Sequence, residues 1–209
     1  MIKAIIAKIK EKFEETNCIN TGETIVSNLI KEKYGKQNLI YNIYIPRNDT
    51  SVFENIKIDF LLFTKNKIYL IEVKDINGDI IYKNKTYGKV ECVLPHRNRD
   101  LSLFHQTKQK EKFFRKYFNI EKDSTLIQSV VLFIKKPKFI NNVSGTQHNN
   151  ILVETTSTIL EKINQETSKI GYSQTQLKSK IKEKALKLRD LDGKKLAKHQ
   201  EEFKKWGRQ

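Results

Sequence analysis

Three residues stand out for what they could do together: Asp59, Glu72 and Lys74. They lie in the stretch 57–74, Lys-Ile-Asp-Phe-Leu-Leu-Phe-Thr-Lys-Asn-Lys-Ile-Tyr-Leu-Ile-Glu-Val-Lys. Two apolar runs, rich in β-branched and aromatic residues, flank the polar tetrapeptide Thr64-Lys65-Asn66-Lys67, which is the pattern of a tight antiparallel hairpin. Strand side chains alternate faces. Lys57, Asp59, Leu61 and Phe63 are therefore expected on one face, and Leu70, Glu72 and Lys74 on one face of the next strand. If the hairpin closes symmetrically about Lys65-Asn66, position 59 falls opposite position 72. Like charges placed opposite each other in a sheet are unfavourable by up to ~1 kcal/mol, and burial raises the cost. A chain that keeps such a pair must supply a cation. Oxygen ligands suit a hard ion, Mg²⁺ or Mn²⁺, and Lys74, one pleat beyond Glu72, can reach the same spot. The plainer alternative is an edge hairpin with its charges in water and Asp59 paired to Lys74. A one-residue slip of register would separate the acids.

The elements around this hairpin must hold it. Thr21 is a candidate cap for a helix with Glu23 in its first turn, where a carboxylate suits the helix dipole. Glu23 also shares a face with Val26 and Ile30, so it needs a partner, either a metal site or Lys74. Residues 40–45 read as a strand stopped by Pro46. Asn77-Gly78 is a turn signal, and 79–94 reads as a further hairpin. Pro95 to Asp100 is expected to be a loop whose Arg97 and Arg99 are either phosphate contacts or ordinary exposed side chains. Residues 101–118 read as a helix with Leu103, Phe113, Phe114, Tyr117 and Phe118 on its apolar face. Gln106 is placed on that face, where it would bond a phosphate, a water or a nearby backbone group. Val130 to Ile134 is a buried strand ended by Lys135-Lys136-Pro137. Residues 151–153 read as a short last strand and 156–163 as a helix. Residues 2–15 have the spacing of an amphipathic helix, a packing element or, less simply, a membrane-surface one.

From about Gln174 the composition shifts, and Lys and Arg outnumber Asp and Glu more than two to one. Leu177, Ile181, Leu188 and Leu191 form a thin stripe. The segment is either a helix packed by that stripe or a basic arm that tracks phosphates, with Lys194 and Lys195 among its contacts. The 209-residue chain carries a formal charge of +16, an excess that points to a polyanionic partner, nucleic acid above all. Lys far outnumbers Arg, which suits contact with phosphates rather than bidentate reading of bases. Hydrophobic residues make up 38% and charged residues 31%, and no apolar run approaches the ~20 residues that span a bilayer. With lysines interrupting the N-terminal segment, a secretory signal is not expected, and the reading is cytoplasmic and not membrane-bound. The two cysteines have no metal-ligand spacing.

The order helix, strand, strand, strand, hairpin, helix, strand, strand gives an α/β or α+β domain with a mixed central sheet flanked by helices. Gly22-Glu23, Asn42-Ile43-Tyr44-Ile45-Pro46, Ile58-Asp59-Phe60, the run from Ile68 to Lys74 and Asp75-Ile76-Asn77-Gly78 together form a series. It resembles the nuclease-related domain, NERD, of the PD-(D/E)XK nuclease superfamily, over roughly residues 20–135. The resemblance implies a restriction-endonuclease-like core. The domain is expected to span 1–165, with a basic helical extension at 166–209 that lies outside the resemblance. It implies a Mg²⁺-dependent nuclease, with Asp59, Glu72 and the Val73 carbonyl as metal ligands and Lys74 holding water or neutralising phosphate oxygens. Glu23 would be an added ligand or would orient Lys74, and Gln106 would position phosphate or water. Arg97, Arg99, Lys135, Lys136, Lys194 and Lys195 are the expected nucleic-acid contacts. The Q-x-x-x-Y motif of some superfamily members is not met, because position 110 is Lys. DNA is the expected substrate, with a homodimer or a separate helicase or defence-system chain as conceivable partners. The competing readings are a nucleic-acid-binding module of the same fold without turnover, and a membrane-surface protein.

Overall fold

Thr64 closes the turn that sets the register. Its amide donates to the Lys67 carbonyl at 2.9 Å, and its hydroxyl accepts from the Lys67 amide at 3.1 Å. The turn joins β2 (Asn55–Phe63) to β3 (Ile68–Lys74), and the ladder runs from Phe63↔Ile68 back to Phe60↔Ile71. The next step would oppose Asp59 and Glu72, as the symmetric closure requires. The computed structural model describes residues 21–47, 55–75, 79–82, 90–94, 97–101, 103–135, 138–140, 151–167, 175–189, 197–198 and 201. The expected N-terminal helix at 2–15, the turns at Asn77-Gly78 and 83–85, and Lys136, Lys194 and Lys195 lie outside these residues.

The hairpin is the middle of a mixed five-stranded sheet of order β1-β2-β3-β7-β9. β1 (Leu39–Pro46) is antiparallel to β2, whereas β7 (Ile127–Phe133) and β9 (Ile151–Thr155) run parallel to β3. Every residue of β7 is buried, the pattern of an interior strand covered on both faces. Helix α1 (Thr21–Tyr34) buries Ile25, Val26, Leu29 and Ile30 against one face, beside Ile159, Leu160 and Ile163 of α3 (Thr156–Thr167). Helix α2 (Leu103–Phe118) covers the other face with Phe114 and Phe118, together with Ile181 and Ala185 of α4 (Thr175–Lys187). The fold is thus α+β, a mixed central sheet between helices, consistent with a restriction-endonuclease-like core.

The segment from 175 packs by its stripe. Leu177 and Leu188 flank the buried Ile181 and Ala185, and the Tyr44 amide donates to the Leu188 carbonyl at the edge of β1. A second sheet has order β6-β5-β4-β8, built from β4 (Asp79–Tyr82), β5 (Val90–Leu94), β6 (Arg97–Leu101) and β8 (Lys138–Ile140). The loop expected at Pro95 to Asp100 is here a strand from Arg97 onward, with Arg97 opposite Leu94 and Arg99 opposite Cys92. Pairing with β5 overrides the weak strand propensity of Arg-Asn-Arg-Asp, and an edge strand tolerates that much charge. Among the described residues no helix is long and apolar enough to cross a membrane.

Alternation fails at one place, and that place positions the site. Leu61 and Phe63 face α2, and Phe60 and Leu62 face α1, as alternation requires. Ile58 should then face α1, yet it lies in the α2-side core with Ile43. The β1–β2 ladder shows the same flaw, pairing Tyr41↔Phe60 and Ile43↔Ile58 while leaving out Asn42 and Asp59. Asn42 has φ +53°, a left-handed conformation that Asn accepts more readily than most residues. Both strands therefore turn over at this step. The expectation that Lys57 and Asp59 share the face of Leu61 and Phe63 fails for this reason, because a period of two does not survive a left-handed residue.

Candidate active site

The inversion leaves Asp59 pointing neither up nor down but across the sheet. Its Oδ2 accepts the Val73 amide at 3.0 Å, a bond that replaces the ladder where β2 and β3 part. In β3 the Lys74 carbonyl accepts from Ile134, so it faces β7. Successive residues of a strand direct their N–H and C=O to opposite neighbours, so the Val73 carbonyl faces the β2 side with Asp59.

Cations converge from both faces. On the α1 side, Lys57 donates to Asp59 Oδ1 at 3.0 Å and to Glu23 Oε1 at 2.9 Å. On the α2 side, Lys74 donates to Glu72 Oε1 at 2.7 Å, and Lys110 of α2 donates to Glu72 Oε2. Three carboxylates thus meet three ammonium groups in a half-buried cluster. Lys110 enters beside Thr107 and Ser129, over the apolar Ile58 and Leu70.

The electrostatics follow from this packing. Burial alone would raise the Glu72 carboxyl, but Lys110 and Lys74 outweigh it and hold it at about 2. Burial, then the Glu72 charge, pushes Asp59 up. Partial burial would lower Lys57 and Lys110, yet Lys57 is raised by Asp59 and Glu23, and Lys110 by Glu72 and Asp59. Shifts of opposite sign on neighbouring carboxyls are a pattern that functional sites share with structural ion-pair networks.

Of the residues singled out in the sequence, Asp59, Glu72, Val73 and Lys74 come together. Glu23 reaches the cluster too, with Lys57 as its cation. Gly22 explains the close approach of its helix, since a Cβ there would lie 1.8 Å from Ile134 Cδ1. Gln106, expected on the apolar face of its helix, is exposed. The inward stripe runs through Thr107, Lys110, Phe114 and Phe118, one residue out of phase with the expected one. Lys135 is exposed and lies 3.7 Å from Asp75. Two cluster residues were given no role from sequence. Strict alternation puts Lys57 on the opposite face, and Lys110 reads in sequence only as a departure from a tyrosine motif. The signal for both was a lysine where the apolar stripe should continue, because a buried lysine needs an acid.

The donor set suits a hard divalent ion: two carboxylates and a backbone carbonyl, all oxygen. Among the described residues no three His, Cys, Asp or Glu side chains are placed to hold one metal ion, so an ion here would rest on Asp59, Glu72 and the Val73 carbonyl. All four carboxylate oxygens of Asp59 and Glu72 are engaged by protein donors, and entry of an ion requires one donor to yield.

The sheet order, the acid pair where the central hairpin opens and the adjacent lysine define an α+β protein of the restriction-endonuclease-like class. The family model for the nuclease-related domain, NERD, matches residues 20–134, just over half of the chain. The chain belongs to that family. No curated protein and no solved structure matches it.

Proposed function

We propose that the protein is a metal-dependent nuclease that hydrolyses phosphodiester bonds in DNA. The observation that carries this reading is the placement of Asp59 against Val73, next to Glu72 and Lys74, at the point where β2 and β3 separate. Asp59, Glu72 and the Val73 carbonyl would hold Mg²⁺ or Mn²⁺. Such an ion supplies an activated water and stabilises charge developing on the phosphoryl oxygens. Lys74 would orient the attacking water or neutralise a non-bridging oxygen. Lys57 fixes the Asp59 carboxylate, and Glu23 fixes Lys57, so this pair positions the acid without touching substrate. The charge of +16 would draw the polyanion in.

The test is cleavage of plasmid DNA with Mg²⁺ or Mn²⁺, with and without EDTA, by wild type, Asp59→Ala and Lys74→Ala. Metal-dependent cutting that is lost in both variants is expected. Cutting that survives in Asp59→Ala removes the assignment. The engagement of all four carboxylate oxygens favours a second reading, a nucleic-acid-binding module whose acids are structural. That reading predicts salt-sensitive binding in wild type with no cutting under any metal.

A further inference from the structure

Lys110 is in an unusual place for a lysine. It comes from α2, a helix outside the acid-bearing hairpin, and crosses an apolar floor of Ile58 and Leu70 to reach Glu72 Oε2. It acts electrostatically on Asp59 as well as on Glu72. Lys110 thus holds a carboxylate oxygen that a metal ion would take. The other two lysines are held differently. Lys57 is fixed from its far side by Glu23, and Lys74 sits on the same strand as Glu72.

We propose that Lys110 is the resident counter-ion of the metal position, neutralising Glu72 until a divalent ion displaces it. The cluster balances as it stands, with Glu23, Asp59 and Glu72 against Lys57, Lys74 and Lys110. A dication added to it leaves an excess of two positive charges; of the two ammonium groups on Glu72, Lys74 is tied to the same strand, and Lys110, from a separate helix, is the one repelled. The Lys110 side chain keeps 24% of its surface exposed, so it has a way out to solvent, and its flexible stem can take it. Lys110 is thus a positioning residue. It holds the Glu72 carboxylate ready and sets the concentration at which metal enters.

This inference rests on the metal-dependent reading, and the experiment separates the two. Mn²⁺ binding is measured by calorimetry and by electron paramagnetic resonance on wild type, Lys110→Met, Lys110→Gln and Lys110→Arg, with folding checked by circular dichroism. Removing a competing charge from a half-buried acid should tighten Mn²⁺ binding by about tenfold or more in the Met and Gln variants. Their metal-free melting temperatures should fall and recover with Mn²⁺. Lys110→Arg keeps the charge and should bind within a few-fold of wild type. Gln can still donate to Glu72, so it keeps the test open if the Met variant does not fold. Should wild type bind Mn²⁺ and the folded neutral variants bind it no tighter, the role of Lys110 is overturned while the nuclease reading stands. Binding in none of the proteins overturns both. Binding in the neutral variants alone supports the inference most directly, as an ion-blocking lysine.

Discussion

Replacing Glu72 with Gln should make stability depend less on pH, and the size of the change can be worked from the ion pairs. Lys110 and Lys74 hold the Glu72 carboxyl at about 2, against 4.5 for the free group. At about 1.4 kcal/mol per pH unit, the shift corresponds to about 3 kcal/mol of folding stability. The folded pKa lies below the unfolded one. The contribution is therefore fully present above pH 4.5 and disappears as the pH falls through the folded value. By pH 3 more than half should already be lost. Urea unfolding of wild type and Glu72→Gln, in EDTA at pH 7, 5 and 3, reads this directly. Carboxylates outside the cluster titrate alike in both proteins and cancel in the difference. Wild type should exceed the variant at pH 7, by a margin that holds at pH 5 and narrows by about 2 kcal/mol by pH 3. A margin that is the same at all three pH values would mean that Glu72 is not held by the lysines, and the electrostatic account of the site would fall with it.

Two further perturbations test how the site is positioned. Asn42→Ala places a residue that disfavours the left-handed region at φ +53°, and should cost about 1–2 kcal/mol. Asn42→Gly should cost less, and equal losses in thermal unfolding of the two variants would show that the left-handed residue is not what turns the strands over. Ile181→Ala opens a cavity in the α2-side core, where Ile181 is 2% exposed, and should cost about 2–5 kcal/mol in urea unfolding. A basic arm lying free in solution would show no loss.

Much of the core was legible because it depends on local pattern. The β2–β3 register followed from a short turn and two runs of matched length. β7 announced itself by an uninterrupted apolar run, and α4 by a thin stripe that the structure seats on the edge of β1. What escaped was geometry that pattern cannot carry. The rule of alternation is silent about a left-handed residue, so the inversion at Asn42 and Asp59 put Lys57 on the wrong face. A helix stripe read one residue out of phase buried Gln106 and overlooked Lys110, since Phe113 and Phe114 both look apolar and only the packing chooses between them. The composition of β6 is that of a loop, and its pairing partner makes it a strand.

These misses have one origin and one consequence. Sequence spacing located the acids, which lie on neighbouring strands of one hairpin. The cations that make their burial tolerable come from the end of β2 and from a helix far along the chain. Removing one member of a buried ion pair costs about 3–5 kcal/mol, whereas the intact pair contributes little net stability. A balanced cluster of three acids and three lysines is thus a poor way to stabilise a sheet. Apolar side chains at Lys57, Glu72 and Lys110 would pack there at no such cost. Its retention makes physical sense where one of its partners is meant to be exchanged, and Lys110, reaching in from outside the hairpin, is the partner that the strands can lose without coming apart.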